Sequence, residues 1–429
     1  MTSGGLRVST WSAGWVVEGV AAGALVAYIA LRQPLLALGL GLALAVAVAA
    51  MRPGMIVPSL VPLSTATTAY PLAHIGVYVG AAILIVTVVR RAFAARDARV
   101  RLGWPPVCLT LLAAALVVSA RGDGPPGRDS DLSGLLIGLM LAAVIGFLPP
   151  RPLTVARVVT VTGAVAAVLA TVDGVYVSGR MSGAGLLANY FGALLAICVA
   201  TGVGLARAER RVAWLIPVAC CLAAIVQTHS RGAVVATAVG IVVAFLAGRP
   251  ARWQIAGAAL AGVAGLATVR VANPLADAVV GSRSATQLTI NSEVRLQAAR
   301  LAVDIAQDHP LLGIGYATFP RIAAADPRLG IYMNTHNDFL RLAAESGAAA
   351  LVLFLAVLAA ALCWRAGAGF LPLRAAVAAG AANLFFANTL SNLTASGLFW
   401  VCLGVLLAGR GSDRRADIEE TTTDARLHH

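Results

Sequence analysis

The sequence predicts an all-α protein, a polytopic membrane helical bundle of about 12 to 14 transmembrane helices with one long extracytoplasmic loop. Three observations lead there. Hydrophobic residues make up 59% of the 429 and charged residues only 12%, with a mean hydropathy of +0.85. The apolar residues fall in runs that cross, or nearly cross, a hydrocarbon core of about 30 Å. The arginines collect in the short segments between those runs, where they set topology. The formal charge is +13 and all 32 basic residues are Arg. Set in short interhelical loops, this charge argues against nucleic acid as a partner and leaves guanidinium forks as the anion-holding groups, which suits phosphate.

Taken in order, the runs lie near 13 to 31, 35 to 51, 72 to 89, 105 to 120, 132 to 148, 153 to 172, 185 to 205, 212 to 228, 232 to 248, 254 to 272, 347 to 364, 371 to 390 and 395 to 409. The first follows a weakly charged start and is followed at once by more spans, so it reads as a retained helix and not a cleaved signal peptide. Segment 54 to 69 carries Pro58 and Pro62 and reads as an interfacial or re-entrant piece, or a further short span. The organisation is then residues 1–271 as transmembrane helices one to ten of a single membrane domain, 272–346 as the extracytoplasmic loop, 347–409 as the final spans and 410–429 as a disordered cytoplasmic tail. The six cysteines (Cys108, Cys198, Cys220, Cys221, Cys363 and Cys402) all lie in apolar runs without metal spacing and are expected to act as small buried hydrophobes.

Orientation follows from arginine bias. Loops near 90 to 101, 151, 207 to 211, 249 to 252 and 365 to 374 hold 13 Arg, against Arg121, Arg128, Arg180 and Arg231 in the alternate short loops. The first set is assigned to the cytoplasm, and Trp104, Trp214, Trp253 and Trp364 then form an aromatic belt at the same ends. The loop 272–346 and the loops carrying Arg180 and Arg231 face outward. Within it, Val294, Ala298, Leu301, Ala302 and Ile305 recur at helical spacing, with Asn291 or Ser292 as N-cap and Pro310 as stop; this amphipathic helix is expected to lie against the membrane or the bundle.

Polar residues beside spans are costly and mark sites. The stretch from Asn334 to Gly347 holds His336, Asn337, Asp338, Arg341 and Glu345. His336 is the candidate general base, because imidazole titrates near neutrality. Asn337 and Asp338 suit a helix start, whose amides favour a bound anion; Asp338 either serves substrate or caps the helix. Glu345 lies nine positions beyond His336, on the opposite helical face, and is expected to pair with Arg341 at i,i+4. Arg231, in Thr228-His-Ser-Arg-Gly-Ala233, and Arg180, in the glycine-bearing segment 178–189, are candidate anion contacts, and Arg295 is a third cation. Two arginines and a histidine at an outer surface fit a lipid diphosphate, with guanidinium groups on the leaving pyrophosphate and imidazole deprotonating an attacking hydroxyl. No Walker loop, G-x-G-x-x-G fingerprint or metal-ligand spacing accompanies them, so no cofactor is expected.

Arg180 with Gly183 and Asn189, then Ser230-Arg231-Gly232-Ala233, then Arg295 with His309-Pro-Leu-Leu-Gly-Ile-Gly315, then His336-Asn337 with Leu340, Glu345 and Gly347 carry a resemblance across roughly 170 to 365. In these residues the chain resembles the O-antigen ligase and polysaccharide polymerase superfamily of bacterial envelope glycosyltransferases. The resemblance implies an all-helical bundle like the lipid-dependent glycosyltransferases, in the bacterial inner membrane with its active site toward the periplasm. It implies inverting, metal-independent transfer of a glycan from an undecaprenyl-diphosphate donor to a lipid A core sugar (ligase) or a growing glycan (polymerase), with the ligase preferred. It assigns His336 as base and Arg180 and Arg231, with Arg295, as diphosphate contacts. Ala188 stands where the family often has Pro, which leaves the role of Asn189 open. The alternative from another class is a solute or bicarbonate transporter; against it, the polar residues gather on one face and trace no path across the bilayer.

Overall fold

The computed structural model describes residues 55–66, 77, 80, 82–88, 104–120, 128–146, 150–246, 285–363 and 367–409. The expected spans at 13 to 31, 35 to 51 and 254 to 272, Arg121, Trp253, Trp364 and the tail 410–429 lie outside these residues, and the span at 72 to 89 lies only partly within them.

The protein is mainly helical. In chain order the helices are α1 (Ile56–Ala66), α2 (Trp104–Ser119), α3 (Arg128–Ile145), α4 (Pro152–Asp173), α5 (Ala188–Glu209), α6 (Leu215–Thr228), α7 (Arg231–Leu246), α8 (Ala285–Asp308), α9 (Phe319–Ala325), α10 (Asp338–Leu362), α11 (Leu371–Asn383) and α12 (Leu393–Gly409). Among the described residues α4, α5 and α10 are long and apolar enough to cross a membrane. Their boundaries follow local chemistry. Pro152 opens α4, where its missing N–H costs nothing, and Gly174 at φ 59° closes it by donating to the Ala170 carbonyl. The described part of segment 54 to 69 is α1, whose eleven residues rise about 16 Å; Ile56, Val57, Leu60 and Val61 are buried, and the helix packs on α4.

Small residues set the helix packing, because lipid leaves dispersion between close backbones as the main attraction. Helices α5, α7 and α11 pack on one another, and a Cβ added to Gly240 would lie 2.5 Å from Ala200 and 2.9 Å from Ala379. Elsewhere Leu111, Val172, Ile216, Val226, Phe245 and Val352 are exposed, an outward apolar surface of the kind that lipid covers. The Arg-rich ends of α4, α5 and α6 meet: Arg157 and the Trp214 indole both bond Glu209. Arg180 and Arg231 lie at the other ends of these helices, as the arginine partition anticipates.

Two departures from the sequence expectation matter for the site. A two-residue hairpin, β1 (Tyr176–Val177) with β2 (Arg180–Met181), interrupts the all-α fold; Ser178 and Gly179 at φ 52° and 72° make its tight turn. The expected span 371 to 390 stops at Asn383, and 384–392 runs irregularly to α12. Polar side chains explain the break, since they offer the backbone other partners: Asn392 accepts from Ala395 N–H and Ser396 donates to the Leu390 carbonyl.

Helix α8 buries Ala298, Leu301, Ala302 and Ile305 against Phe319, Ala323 and Ala344, so its apolar face lies on the bundle. It begins at Ala285, ahead of the Asn291 or Ser292 cap, and ends before Pro310. Helix α10 breaks at Gly347, with φ 83° and ψ 172°. The loop 310–316 straps the arm before the break: Ile314 and Gly315 N–H donate to the Ala344 and Glu345 carbonyls, and Ala348 N–H donates to the Pro310 carbonyl. A Cβ at Gly347 would stand 2.1 Å from the Leu311 carbonyl oxygen. Gly347→Ala is therefore expected to destabilise the protein by about 2 kcal/mol or more, measured as a lowered thermal unfolding midpoint in detergent; an unchanged midpoint would show that the strap adapts.

Candidate active site

The β1–β2 hairpin aims Arg180. Its Nε donates to the Thr228 carbonyl at 2.9 Å and its Nη2 to Asn189 Oδ1 at 2.5 Å. Thr228 ends α6 and Arg231 begins α7, so this link brings Arg180 to the turn that carries Arg231. Asn189, whose role the sequence left open, is the brace. The glycines of segment 178–189 divide between turns and packing: Gly179 and Gly185 take positive φ, while Gly183 lies against Ala170 and Phe191. On the other side of Arg231, Gly232 packs on Phe386 and Asn383, at the broken end of α11.

The irregular segment 384–392 in turn holds the start of α10. Asp338, 2% exposed, accepts from Thr389 N–H at 2.6 Å, Leu390 N–H at 3.0 Å and Asn388 Nδ2 at 3.4 Å, and its own N–H donates to the Leu384 carbonyl. The carboxylate thus bonds segment 388–390 and does not cap its own helix. Asn337 is the N-cap, accepting from the N–H groups of Phe339 and Leu340.

His336 precedes that cap in the left-handed region at φ 54°, a conformation costing a non-glycine residue about 1–3 kcal/mol. Neighbouring Thr335 holds the turn by donating to the Asn337 carbonyl and accepting from Asn388 Nδ2. The imidazole is half-buried; burial first, and the Arg295 guanidinium second, hold its pKa down at about 4. It is therefore neutral at physiological pH, the form that accepts a proton. Arg295 is exposed on α8 and reaches the site through this electrostatic effect.

Arg341 and Glu345 pair as the i,i+4 spacing anticipates, at 2.9 Å, with side chains 5% and 0% exposed. The sequence reading missed the rest of the cluster. Arg341 also donates to Ser391 at 3.2 Å and Asp131 at 3.1 Å and lies 4.8 Å from the Tyr316 ring. Glu345 accepts from Ala317 and Phe319 N–H, and burial pushes the Tyr316 phenol up. The expectation that no Asp-x-Asp is present is corrected by Asp129 and Asp131, which stand at that spacing, although Asp129 meets Arg128 and Asp131 meets Arg341. No local signal marks such partners, since α3 lies some two hundred residues before α10.

Two outcomes are expected. Arg341→Met leaves Glu345 buried without its cation and costs about 3–5 kcal/mol, measured by thermal unfolding; a native midpoint would mean that the cluster is dispensable. For His336, the folded pKa of about 4 lies below the ordinary 6.5, so the unfolded chain takes up the proton first and stability falls as pH drops between those values. His336→Asn, which tolerates the left-handed turn, is expected to lose that slope, and identical pH profiles of the unfolding midpoint would count against a depressed His336.

Residues 216–355 match the family model described as O-antigen ligase. The matched stretch includes Arg231, Arg295, His336, Asn337 and Asp338, while Arg180 lies before it. No curated protein matches the chain significantly. Residues 216–355, about a third of the chain, are thus similar to an O-antigen ligase domain, and this match supports the resemblance to the O-antigen ligase superfamily.

Proposed function

We propose that this protein is a multi-span glycosyltransferase of the bacterial inner membrane that moves a glycan from an undecaprenyl-diphosphate donor to a lipid A core sugar on the periplasmic face. The observation that carries this reading is the bracing of Arg180 onto the turn of Arg231, next to the segment that fastens the His336 helix. Fixed guanidinium groups suit a diphosphate, whose charge grows as it leaves. The acceptor hydroxyl gives its proton to neutral His336, its oxygen bonds to the sugar C1, and the C1–O electron pair departs with the lipid diphosphate. Attack opposite the leaving group inverts the anomeric centre. No metal enters this scheme, because the arginines supply the charge that a cation would otherwise provide. Arg295 adds positive potential, and the bound diphosphate would offset it and raise the His336 basicity as the proton arrives.

The test is reconstitution of the purified protein with a diphosphate-linked oligosaccharide lipid and a lipid A core acceptor, with products resolved by size. A single transferred block is expected; a ladder formed without acceptor would reassign the protein as a polymerase, and no transfer would favour the transporter reading. His336→Ala is expected to abolish transfer while donor binding survives, and retained turnover would remove His336 as base. Arg231→Lys is expected to lose most activity, since a point charge does not replace a bidentate fork; near-normal kinetics would reduce Arg231 to an interfacial anchor.

A further inference from the structure

The first two turns of α5 present different faces to different partners. Asn189 holds Arg180. Gly192, three residues on, lets the helix lie against Thr228, Ser230 and Ala233, in the turn that carries Arg231. Tyr190 is rotated about 100° from Asn189, onto the stripe it shares with Ala193 and Ile197. Those two residues line a small cavity together with Leu384 and Thr389, whose backbone groups hold Asp338. Tyr190 thereby stands where the end of α5 that holds Arg180 meets the helix that follows His336, and its phenol lies within Coulombic reach of Asp338, Asp131 and Arg341.

The charged groups beside it are already engaged. Asp338 is taken by the 388–390 backbone and amide, and Arg341 uses Nε, Nη1 and Nη2 on Glu345, Ser391 and Asp131. Tyr190 differs. Its ring packs on the core, it is half-buried, and among the described residues its hydroxyl has no hydrogen-bond partner. A half-buried hydroxyl without a partner inside the chain is a donor kept for something that arrives from outside.

We propose that Tyr190 is a donor-contacting residue, whose phenol hydrogen-bonds a phosphate oxygen of the lipid diphosphate as its bond to the sugar C1 breaks. The proposal rests on the glycosyl-transfer reading above. The leaving group gains one negative charge in that step, while the acceptor proton goes to His336. A neutral donor held in place strengthens its bond as that charge grows, so it favours the transition state over the bound substrate.

Tyr190→Phe keeps the ring and removes only the hydroxyl. In the reconstituted transfer assay with undecaprenyl-diphosphate-linked oligosaccharide, its kcat is expected to fall about 10- to 100-fold, the size expected for a hydrogen bond to a charged group, with the thermal unfolding midpoint unchanged. Wild-type kcat in Tyr190→Phe overturns the proposal, and so does a loss of activity matched by a lowered midpoint, which would make the residue structural. Absence of transfer by the wild-type protein overturns the glycosyl-transfer reading, and this proposal with it.

Discussion

A buried guanidinium between two carboxylates decides the geometry of the polar half of this protein. Arg341 reaches Glu345 on its own helix, Asp131 at the start of α3 and Ser391 in the irregular segment, while the Tyr316 ring covers its face. Burying such charges is expensive, and the arrangement holds only because each donor has a partner. It also gives four segments distant in sequence one common anchor. The Glu345 carboxylate extends the anchor to the loop before α9 by accepting two backbone N–H groups. The helix that follows His336 is therefore a rigid arm, tied at Asp338, Arg341 and Glu345 along one length.

The backbone pays for this arm in irregularity, and irregular backbone in a low-dielectric surrounding must find partners inside the protein. The break at Gly347 leaves peptide groups that the loop 310–316 satisfies. The break after Asn383 leaves others, and Asp338, Asn392 and Ser396 answer them. The motif around His309 to Gly315 thus gains a structural reason: it is the strap across the arm, and Gly313 and Gly347 stand where a side chain would strike the facing backbone. The same logic joins the two halves of the site, since the segment that holds Asp338 also meets Gly232, beside Arg231.

Legibility in the sequence followed the range of the interactions. The helices α4, α5 and α7 stood close to their apolar runs because hydrophobicity and terminal residues such as Pro152 and Gly174 act locally. The Arg341–Glu345 pair was legible for the same reason, being one helical turn long. The apolar stripe of α8 was legible in its face but not in its start, as nothing at Asn291 forces a helix to begin. The hairpin at Tyr176 to Met181 escaped notice because two-residue strands carry no periodicity, although Ser178-Gly179 is a turn signal. The broken span at 384–392 escaped because its leucines and phenylalanines raise the mean hydropathy of a segment whose Asn388, Thr389, Ser391 and Asn392 give the backbone other partners.

By itself the sequence determined a helical membrane protein and the division of its arginines between two ends, and it offered candidate groups for a diphosphate and a proton. Those properties reside in composition, period and residue type. The tertiary structure alone decided which groups are spoken for: Asp338 and Arg341 face inward and are saturated, Asn189 braces Arg180, and the Tyr190 hydroxyl keeps its hydrogen bond unspent. The reason is physical. Whether a polar atom is available depends on partners brought from other helices, and burial makes the absence of such a partner costly, but no local pattern records which partners will come.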